Sequence, residues 1–166
     1  MDTSLPQANE SAKQCKCRSP LECPLDNKCL SKSVVYQCSV HHDDITQSYV
    51  GITANTFKSR YNTHKSSFNY KHLEHSTSLS KYIWNLKATN TNFQLKWRIL
   101  TSTSAYCNNT KRCNLCIQEK FFILYKPLLA SLNKRSEFFS SCRHISKYIL
   151  ASTIIAKLLA LFIPYV

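Results

Sequence analysis

The chain contains a single glycine, Gly51, where average usage in 166 residues would give about a dozen. It lies inside an apolar, strand-like stretch, residues 49–53, with the sequence Tyr-Val-Gly-Ile-Thr. A glycine inside a strand commonly marks a bulge or a position where another group approaches the backbone closely. Gly51 therefore predicts a strand with one crowded point, and we expect a functional site beside that point.

Hydrophobic periodicity predicts a small α+β domain around this glycine. Val34, Val35, Tyr36 and Val40 indicate a first strand, and the alternation of Phe93, Leu95, Trp97 and Ile99 with polar residues indicates another. The predicted order is β-β-α-α-β-α-α, which gives a small three-stranded antiparallel sheet flanked by helices. The strands are expected at 33–40, 47–53 and 93–99, and the helices at 56–68, 78–87, 114–125 and 136–150.

Composition divides the chain into four parts. Residues 1–13 are polar and predicted to be disordered, residues 14–32 are rich in cysteine, and residues 33–147 form the α+β domain. Residues 148–166 are strongly apolar and approach the length of a membrane span, but Lys157 stands near their middle, where a charge is costly. We therefore expect a packed helix, or a tail unrelated to the domain, rather than a membrane anchor.

The charge balance favours a polyanionic partner. Lysine and arginine total 22 against 9 acidic residues, a formal net charge of +13. The excess is spread along the chain rather than confined to a tail. It suits nucleic acid or an anionic membrane surface, and of the two we expect nucleic acid.

The nine cysteines predict metal sites rather than disulfides, because their number is odd and residues 1–10 show no secretory signal. Cys113 and Cys116 have the C-x2-C spacing of a zinc knuckle, and Cys142 with His144 would complete a closed, structural Cys3His site. A second candidate zinc site has a C-x-C step tighter than a standard knuckle, and exchange of ligands between the two clusters stays open. Its ligands would be Cys15, Cys17, Cys23 and Cys29, whereas Cys38 and Cys107 are expected to lie outside both sites.

An ordered set of residues resembles the GIY-YIG endonuclease superfamily over about residues 33–135. The set consists of Val34-Val35-Tyr36 on the first strand, Tyr49-Val50-Gly51 on the second, Arg60 and His64 one turn apart on the next helix, Glu119 on the third helix, and Asn133. Val34 stands where the family has glycine. Together with the stretch 79–84 and the cysteine framework, the set is most similar to the endonuclease domains of Penelope-like retroelements.

The resemblance implies a divalent-metal-dependent nuclease that nicks DNA. Phosphodiester hydrolysis needs an activated water and stabilisation of the charge on the phosphate. Glu119 would hold Mg²⁺ or Mn²⁺, Arg60 would bind the phosphate, and Tyr36 would act as general base. The resemblance also gives supporting roles: Tyr49 would orient water or phosphate, Gly51 would leave room for DNA or metal, His64 would assist proton transfer or contact phosphate, and Asn133 would buttress the site by hydrogen bonds.

The resemblance further implies DNA as partner, a reverse transcriptase in a parent retroelement, and a nuclear location. Two alternatives stay open. One is a zinc-stabilised nucleic-acid-binding module without activity, which would not need Tyr36, Arg60 and Glu119 together. The other is a structure-specific DNA-repair nuclease with the same fold, since fold analogy alone does not define the substrate.

Overall fold

A three-stranded antiparallel sheet forms the centre of the protein, in a computed structural model that describes residues 15–133 apart from residues 105, 108, 110 and 111. Its strands are β1 (Lys32–His42), β2 (Ile45–Thr56) and β3 (Gln94–Ser102), in the order β2-β1-β3. The predicted α+β class with a three-stranded antiparallel sheet is therefore confirmed. The proposed ligands Cys142 and His144, the helix expected at 136–150, the tail 148–166 and residues 1–13 lie outside the described residues.

Three helices cover the two faces of the sheet. Helices α1 (Phe57–Asn69) and α2 (Ser78–Ala88) pack against one face, and α3 (Asn114–Tyr125) packs against the other. Because strand side chains alternate between faces, successive residues of β1 enter different cores. Tyr36 and Cys38 belong to the core under α1 and α2, whereas Val35 belongs to the core under α3.

Local side-chain chemistry sets the helix starts and the turns. Thr56 caps α1 by accepting a hydrogen bond from the Ser59 backbone at 3.3 Å, and Thr77 caps α2 in the same way through Ser80 at 3.0 Å. The left-handed backbone positions that glycine would usually fill fall largely to Asp and Asn, which tolerate them best among other residues. These positions include Asp26 (φ 45°), Asn27 (φ 69°), Asp43 (φ 46°) and Asn90 (φ 53°).

The structure differs from the predicted elements at several strand ends, in one predicted loop and at short 3-10 helices. β1 continues through His41 and His42, which we expected in the turn. The stretch 102–112, predicted to be a loop, contains a short ribbon of β4 (Tyr106–Cys107) and β5 (Arg112–Cys113). Strands of two residues carry no period-two pattern, so the sequence gives no signal for them. Short 3-10 helices lie at Pro20–Glu22, Lys71–Ser76 and Pro127–Leu129.

No helix in the part of the chain that the structure describes has both the length and the apolar character needed to cross a membrane.

Candidate active site and cysteine cluster

Tyr36 lies over Gly51 at the centre of the candidate site. The two residues are paired across β1 and β2, and the tyrosine is fully buried. A Cβ atom added at Gly51 would lie 2.5 Å from the Tyr36 hydroxyl oxygen and 2.7 Å from its Cζ. The glycine is therefore the residue that lets the tyrosine ring lean across the neighbouring strand.

The Tyr36 hydroxyl is held by two side chains from α1. Arg60 Nε donates to it at 3.0 Å, and His64 Nε2 lies 2.8 Å from it. The hydroxyl accepts from Arg60, so its own proton is placed to be donated to His64 Nε2. The spacing of one helical turn between Arg60 and His64 brings both side chains to the same oxygen.

Burial decides the protonation states in this trio. Burial, and then the nearby Tyr49, raise the pKa of Tyr36 well above its usual value, although Arg60 opposes them. Burial, and then the Arg60 charge, lower the pKa of His64 to about 3. At neutral pH the phenol is therefore protonated and the imidazole is neutral, which agrees with a bond donated from tyrosine to histidine.

Tyr49 completes the aromatic surroundings of His64. Its ring meets the His64 ring edge-on at 5.9 Å between centroids. Burial tends to lower the pKa of Arg60, but the hydroxyls of Tyr36 and Tyr49, both hydrogen-bonded to the guanidinium, raise it overall. Both strand tyrosines thus fix the same arginine.

Glu119 approaches this group from α3. Its side chain is 4% exposed, and its charge is a further influence on the pKa of Tyr36 after burial, Tyr49 and Arg60. Between residues 45 and 133 the sequence has one other acidic residue, Glu74, which pairs with Lys71 at 2.7 Å. Glu119 is therefore a buried carboxylate within electrostatic range of the tyrosine hydroxyl, and a hard oxygen ligand of the kind that Mg²⁺ takes.

Asn133 fixes the backbone beside Gly51. Its Nδ2 donates to the Val50 carbonyl and its Oδ1 accepts from the Val50 N–H, both at 2.8 Å. The Leu132 N–H adds a bond to the Ser48 carbonyl at 2.9 Å. This segment therefore pairs with the outer edge of β2 and holds the strand that carries the glycine.

Sequence reasoning missed Gln37, the residue after Tyr36. It is 2% exposed, accepts a hydrogen bond from Arg98 Nε at 2.6 Å and donates to the Leu129 carbonyl at 3.0 Å. A glutamine in a strand reads as an outward-facing polar residue, so the alternating pattern offered no signal for a buried one.

Four cysteines of the N-terminal segment converge on one point. The Sγ atoms of Cys15, Cys17, Cys23 and Cys29 all lie within 4.8 Å of one another. Cys29 Sγ lies 3.5 Å from Cys15 Sγ and 3.6 Å from Cys17 Sγ. A tetrahedral ion with bonds of about 2.3 Å needs sulfur atoms about 3.8 Å apart, whereas a disulfide needs about 2.05 Å. The cluster could therefore hold a metal ion such as zinc.

The thiols of this cluster have divergent acidities. A backbone N–H from Cys17 lowers the pKa of Cys15 to about 7. Burial, together with the neighbouring thiols, raises the pKa of Cys17 to about 12, and burial also raises the pKa of Cys29. Like charges in one small space oppose each other, so several thiolates here require a compensating cation.

The cysteine cluster is joined directly to the start of α1. The Lys58 N–H donates to the Cys29 carbonyl at 2.7 Å, and the Phe57 N–H donates to the Ser31 carbonyl at 2.8 Å. These are the N–H groups that a helix start leaves without intrahelical partners. The helix that carries Arg60 and His64 therefore begins on the cysteine-rich segment.

The other cysteines are placed as follows. Cys113 ends β5 and precedes α3, and Cys116 lies in the first turn of that helix. Because Cys142 and His144 lie outside the described residues, the Cys3His site stays a prediction. Cys38 is buried in the core under α1 and α2, and burial raises its pKa. Cys107 lies on β4, paired with Arg112.

Comparisons of the chain with protein-family models, with curated proteins and with solved structures gave no match.

Proposed function

We propose that the chain is a divalent-metal-dependent DNA endonuclease of the GIY-YIG type, which hydrolyses one phosphodiester bond and leaves a nick. The observation that carries this proposal is the hydrogen-bonded trio of buried Tyr36, buried His64 and half-buried Arg60 over the single glycine. Residues that the resemblance names from separate elements meet at one hydroxyl oxygen, with Glu119 in electrostatic range. A core tyrosine needs only one hydrogen-bond partner, and a partly desolvated arginine held against it is typical of a functional site.

Arg60 binds the scissile phosphate. Its Nε is used by Tyr36 and a further N–H by Tyr49, so the remaining N–H groups of the guanidinium would meet the phosphate oxygens. Because Tyr36 and Tyr49 hold the guanidinium before DNA arrives, little side-chain freedom is lost on binding.

Tyr36 and His64 move the proton of the attacking water. As the water attacks phosphorus, its proton passes to the Tyr36 oxygen while the Tyr36 proton passes to His64 Nε2. The oxygen and nitrogen atoms are 2.8 Å apart, within reach of direct transfer. The raised pKa of Tyr36 disfavours a resting tyrosinate, and the lowered pKa of His64 disfavours a resting imidazolium, so both proton transfers would accompany the attack of the water rather than precede it.

Glu119 would hold the divalent ion. A single buried carboxylate fits Mg²⁺ or Mn²⁺, since these ions keep several waters and take further oxygens from the substrate. When bound, the ion would stabilise charge on the phosphate and acidify its water. Asn133 maintains the strand beside this region through its two bonds to Val50.

We also propose that Cys15, Cys17, Cys23 and Cys29 bind a structural Zn²⁺. Four sulfur ligands leave no open position, which distinguishes this site from a catalytic one. The support is the convergence of the four Sγ atoms and the attachment of the cluster to α1.

The same resemblance leads us to propose a retroelement origin. A nick in nuclear DNA would then supply the primer end for a reverse transcriptase of the parent element. The net charge of +13 supports DNA as the partner.

The test is cleavage of supercoiled plasmid with Mg²⁺ or Mn²⁺. We expect nicked circles from the wild type and a loss of at least about 100-fold with Glu119→Gln, because a group that contributes to the transition state is removed. The matched control is Glu74→Gln, which removes the same charge from the other acidic residue of this region and should nick as the wild type does.

Three results would contradict the proposal or part of it. Equal nicking by Glu119→Gln and the wild type would remove the carboxylate from the mechanism. A folded wild type that binds DNA without nicking it would favour the inactive binding module, and a strong preference for branched DNA in a cleavage panel would favour the repair nuclease.

A further inference from the structure

The face of the sheet that carries α3 is half apolar and half polar. Near the α3 helix it is lined by Val35, Val50 and Ile52. Toward the β1–β2 turn the same face becomes polar over three successive rows of paired residues. We call this part the polar half-face, and its residues are Gln37, Ser39, His41, Thr46, Ser48, Gln94, Lys96 and Arg98.

The polar half-face is open to solvent at most of its positions. His41, Thr46, Gln94, Lys96 and Arg98 are all exposed. Within the described residues, only the short segment after α3 reaches this side, where the Leu129 carbonyl accepts from Gln37 and Ser131 Oγ accepts from the Ser48 N–H at 2.9 Å. None of the three described α-helices therefore covers this half of the sheet face.

Cross-strand hydrogen bonds order the side chains of this surface. His41 Nδ1 and Thr46 Oγ1 lie 2.9 Å apart, and the hydroxyls of Ser39 and Ser48 lie 3.4 Å apart. Each bond joins directly opposite residues of β1 and β2. The side chains of these two pairs are therefore held in place by hydrogen bonds.

Its charge is of one sign. Lys96 and Arg98 stand two residues apart on β3, and no carboxylate lies among the eight residues. Arg98 Nε donates to the buried Gln37 side chain at 2.6 Å, and this bond leaves the terminal nitrogens of the exposed guanidinium unused. A solvent-facing antiparallel sheet is usually polar, but such a face ordinarily mixes both signs of charge.

We propose that the polar half-face binds the sugar-phosphate backbone of duplex DNA. A fixed arginine fork, a lysine and rows of hydroxyl and amide groups are the donors that backbone contacts use, and they carry no sequence information. This surface lies on the face of the sheet opposite Tyr36, and it begins in the next row of paired residues, where Gln37 is opposite Val50. The inference rests on the proposed function for its choice of DNA, and it assigns the contacts outside the cleavage site.

The experiment measures binding of a fluorescent DNA duplex by the full chain, without divalent metal, over a series of salt concentrations. Each phosphate contact contributes about 0.9 to the slope of log K against log salt. Lys96→Gln with Arg98→Gln should therefore reduce the slope by about 1.8. The matched control is Lys65→Gln with Lys81→Gln, which removes two exposed cations from α1 and α2 and should change the slope by less than half that amount.

A further variant guards against a folding defect, because Arg98 takes part in the bond to Gln37. Lys96→Glu alters an exposed side chain and should lower affinity more than Lys81→Glu does. Equal slopes for the two double variants, or equal affinities for the two charge reversals, would overturn the proposal.

Failure of this inference differs from failure of the proposed function. If the wild type nicks plasmid and the Lys96 and Arg98 variants match their controls, only the polar half-face is eliminated. If these variants weaken binding as expected but the wild type never nicks, the surface binds DNA and the nuclease proposal fails. If single-stranded DNA were bound with the same affinity as the duplex, the assignment to duplex DNA would be overturned.

Discussion

Replacing Gly51 with alanine tests whether the position must lack a side chain to make room for the Tyr36 ring. The residue lies in extended strand backbone, with no positive φ. On backbone grounds alone, alanine in a strand interior is favoured over glycine by about 0.5–1 kcal/mol. On these grounds the alanine variant would be more stable than the wild type. Contacts with the surrounding atoms instead make us expect a lower free energy of unfolding.

The size of the effect follows from the distances. A new Cβ would lie 2.5 Å from the Tyr36 oxygen, 2.7 Å from its Cζ and 2.9 Å from Tyr49 Cε1. Contacts between such atoms are normally about 3.5–4.0 Å, so something must move by about 1 Å. The Tyr36 ring is fully buried, so it has no open space to move into, and its hydroxyl is hydrogen-bonded to His64 and Arg60. Overpacking costs about 1–3 kcal/mol, and weakened hydrogen bonds add about 1 kcal/mol. After the backbone gain is subtracted, we expect a net destabilisation of about 2 kcal/mol.

The assay is urea unfolding of the wild type, Gly51→Ala, Tyr36→Phe and the double variant. The hydroxyl is the atom nearest to the new Cβ, so the alanine should cost less when the hydroxyl is absent. We expect a coupling free energy of at least about 1 kcal/mol between the two sites. Nicking by Gly51→Ala should fall about 100-fold, because a displacement of about 1 Å at a reacting group has that effect.

The refuting result is specific. A Gly51→Ala protein as stable as the wild type, with effects additive to those of Tyr36→Phe, would show that the ring and strand are not in tight contact. Unchanged nicking by the same variant would separate the hydroxyl from the chemistry.

Two further predictions concern His64 and the cysteine cluster. Folding lowers the pKa of His64 from its usual 6.5 to about 3, so below pH 6.5 the unfolded chain takes up a proton that the folded chain does not. The contribution of neutral His64 to stability is therefore fully present above pH 6.5. Below pH 6.5 the free energy of unfolding falls by up to about 1.4 kcal/mol per pH unit. Urea unfolding from pH 7 to pH 4.5 should show this loss reduced in His64→Gln, and a stability difference between the two proteins that stays constant with pH would contradict it. Cys29→Ser should lower the zinc content by about one ion per chain and speed amide hydrogen exchange at Lys58, whose N–H is bound to the Cys29 carbonyl. Cys38→Ala, a buried thiol outside the cluster, is the control that should keep its zinc, and equal zinc in both variants would contradict the assignment.

The sheet and helices were predictable because burial repeats with the period of each element. Trp97 and its alternating neighbours on β3 face the core as expected, and Leu79, Ile83 and Leu86 form the buried side of α2. The helix predicted at 114–125 matches the observed bounds of α3, which ends where Pro127 prevents continuation. In each case a pattern within one short segment was enough to predict the element and its buried side.

The arrangement of the site and of the cysteines was less accessible, because it depends on contacts between distant segments. The spacing of Arg60 and His64 predicted a shared helix face, but not that both would meet the Tyr36 oxygen. The C-x-C step gave a poorer match to a zinc knuckle than Cys113 and Cys116 did, yet its four thiols converge. Their convergence depends on how the segment folds against α1, which no local spacing encodes.

Successive residues of β1 organise the two proposed contacts with DNA. Tyr36 holds Arg60 by its Nε at 3.0 Å, and Gln37 holds Arg98 by its Nε at 2.6 Å. Because side chains alternate along a strand, one arginine lies on each face of the sheet, and each has guanidinium N–H groups left for phosphate. Only the Arg60 side contains the tyrosine and histidine that can move a proton. Binding and cleavage are therefore assigned to opposite faces of a single strand, so that loss of Arg98 would weaken affinity while leaving the chemistry at Tyr36 intact.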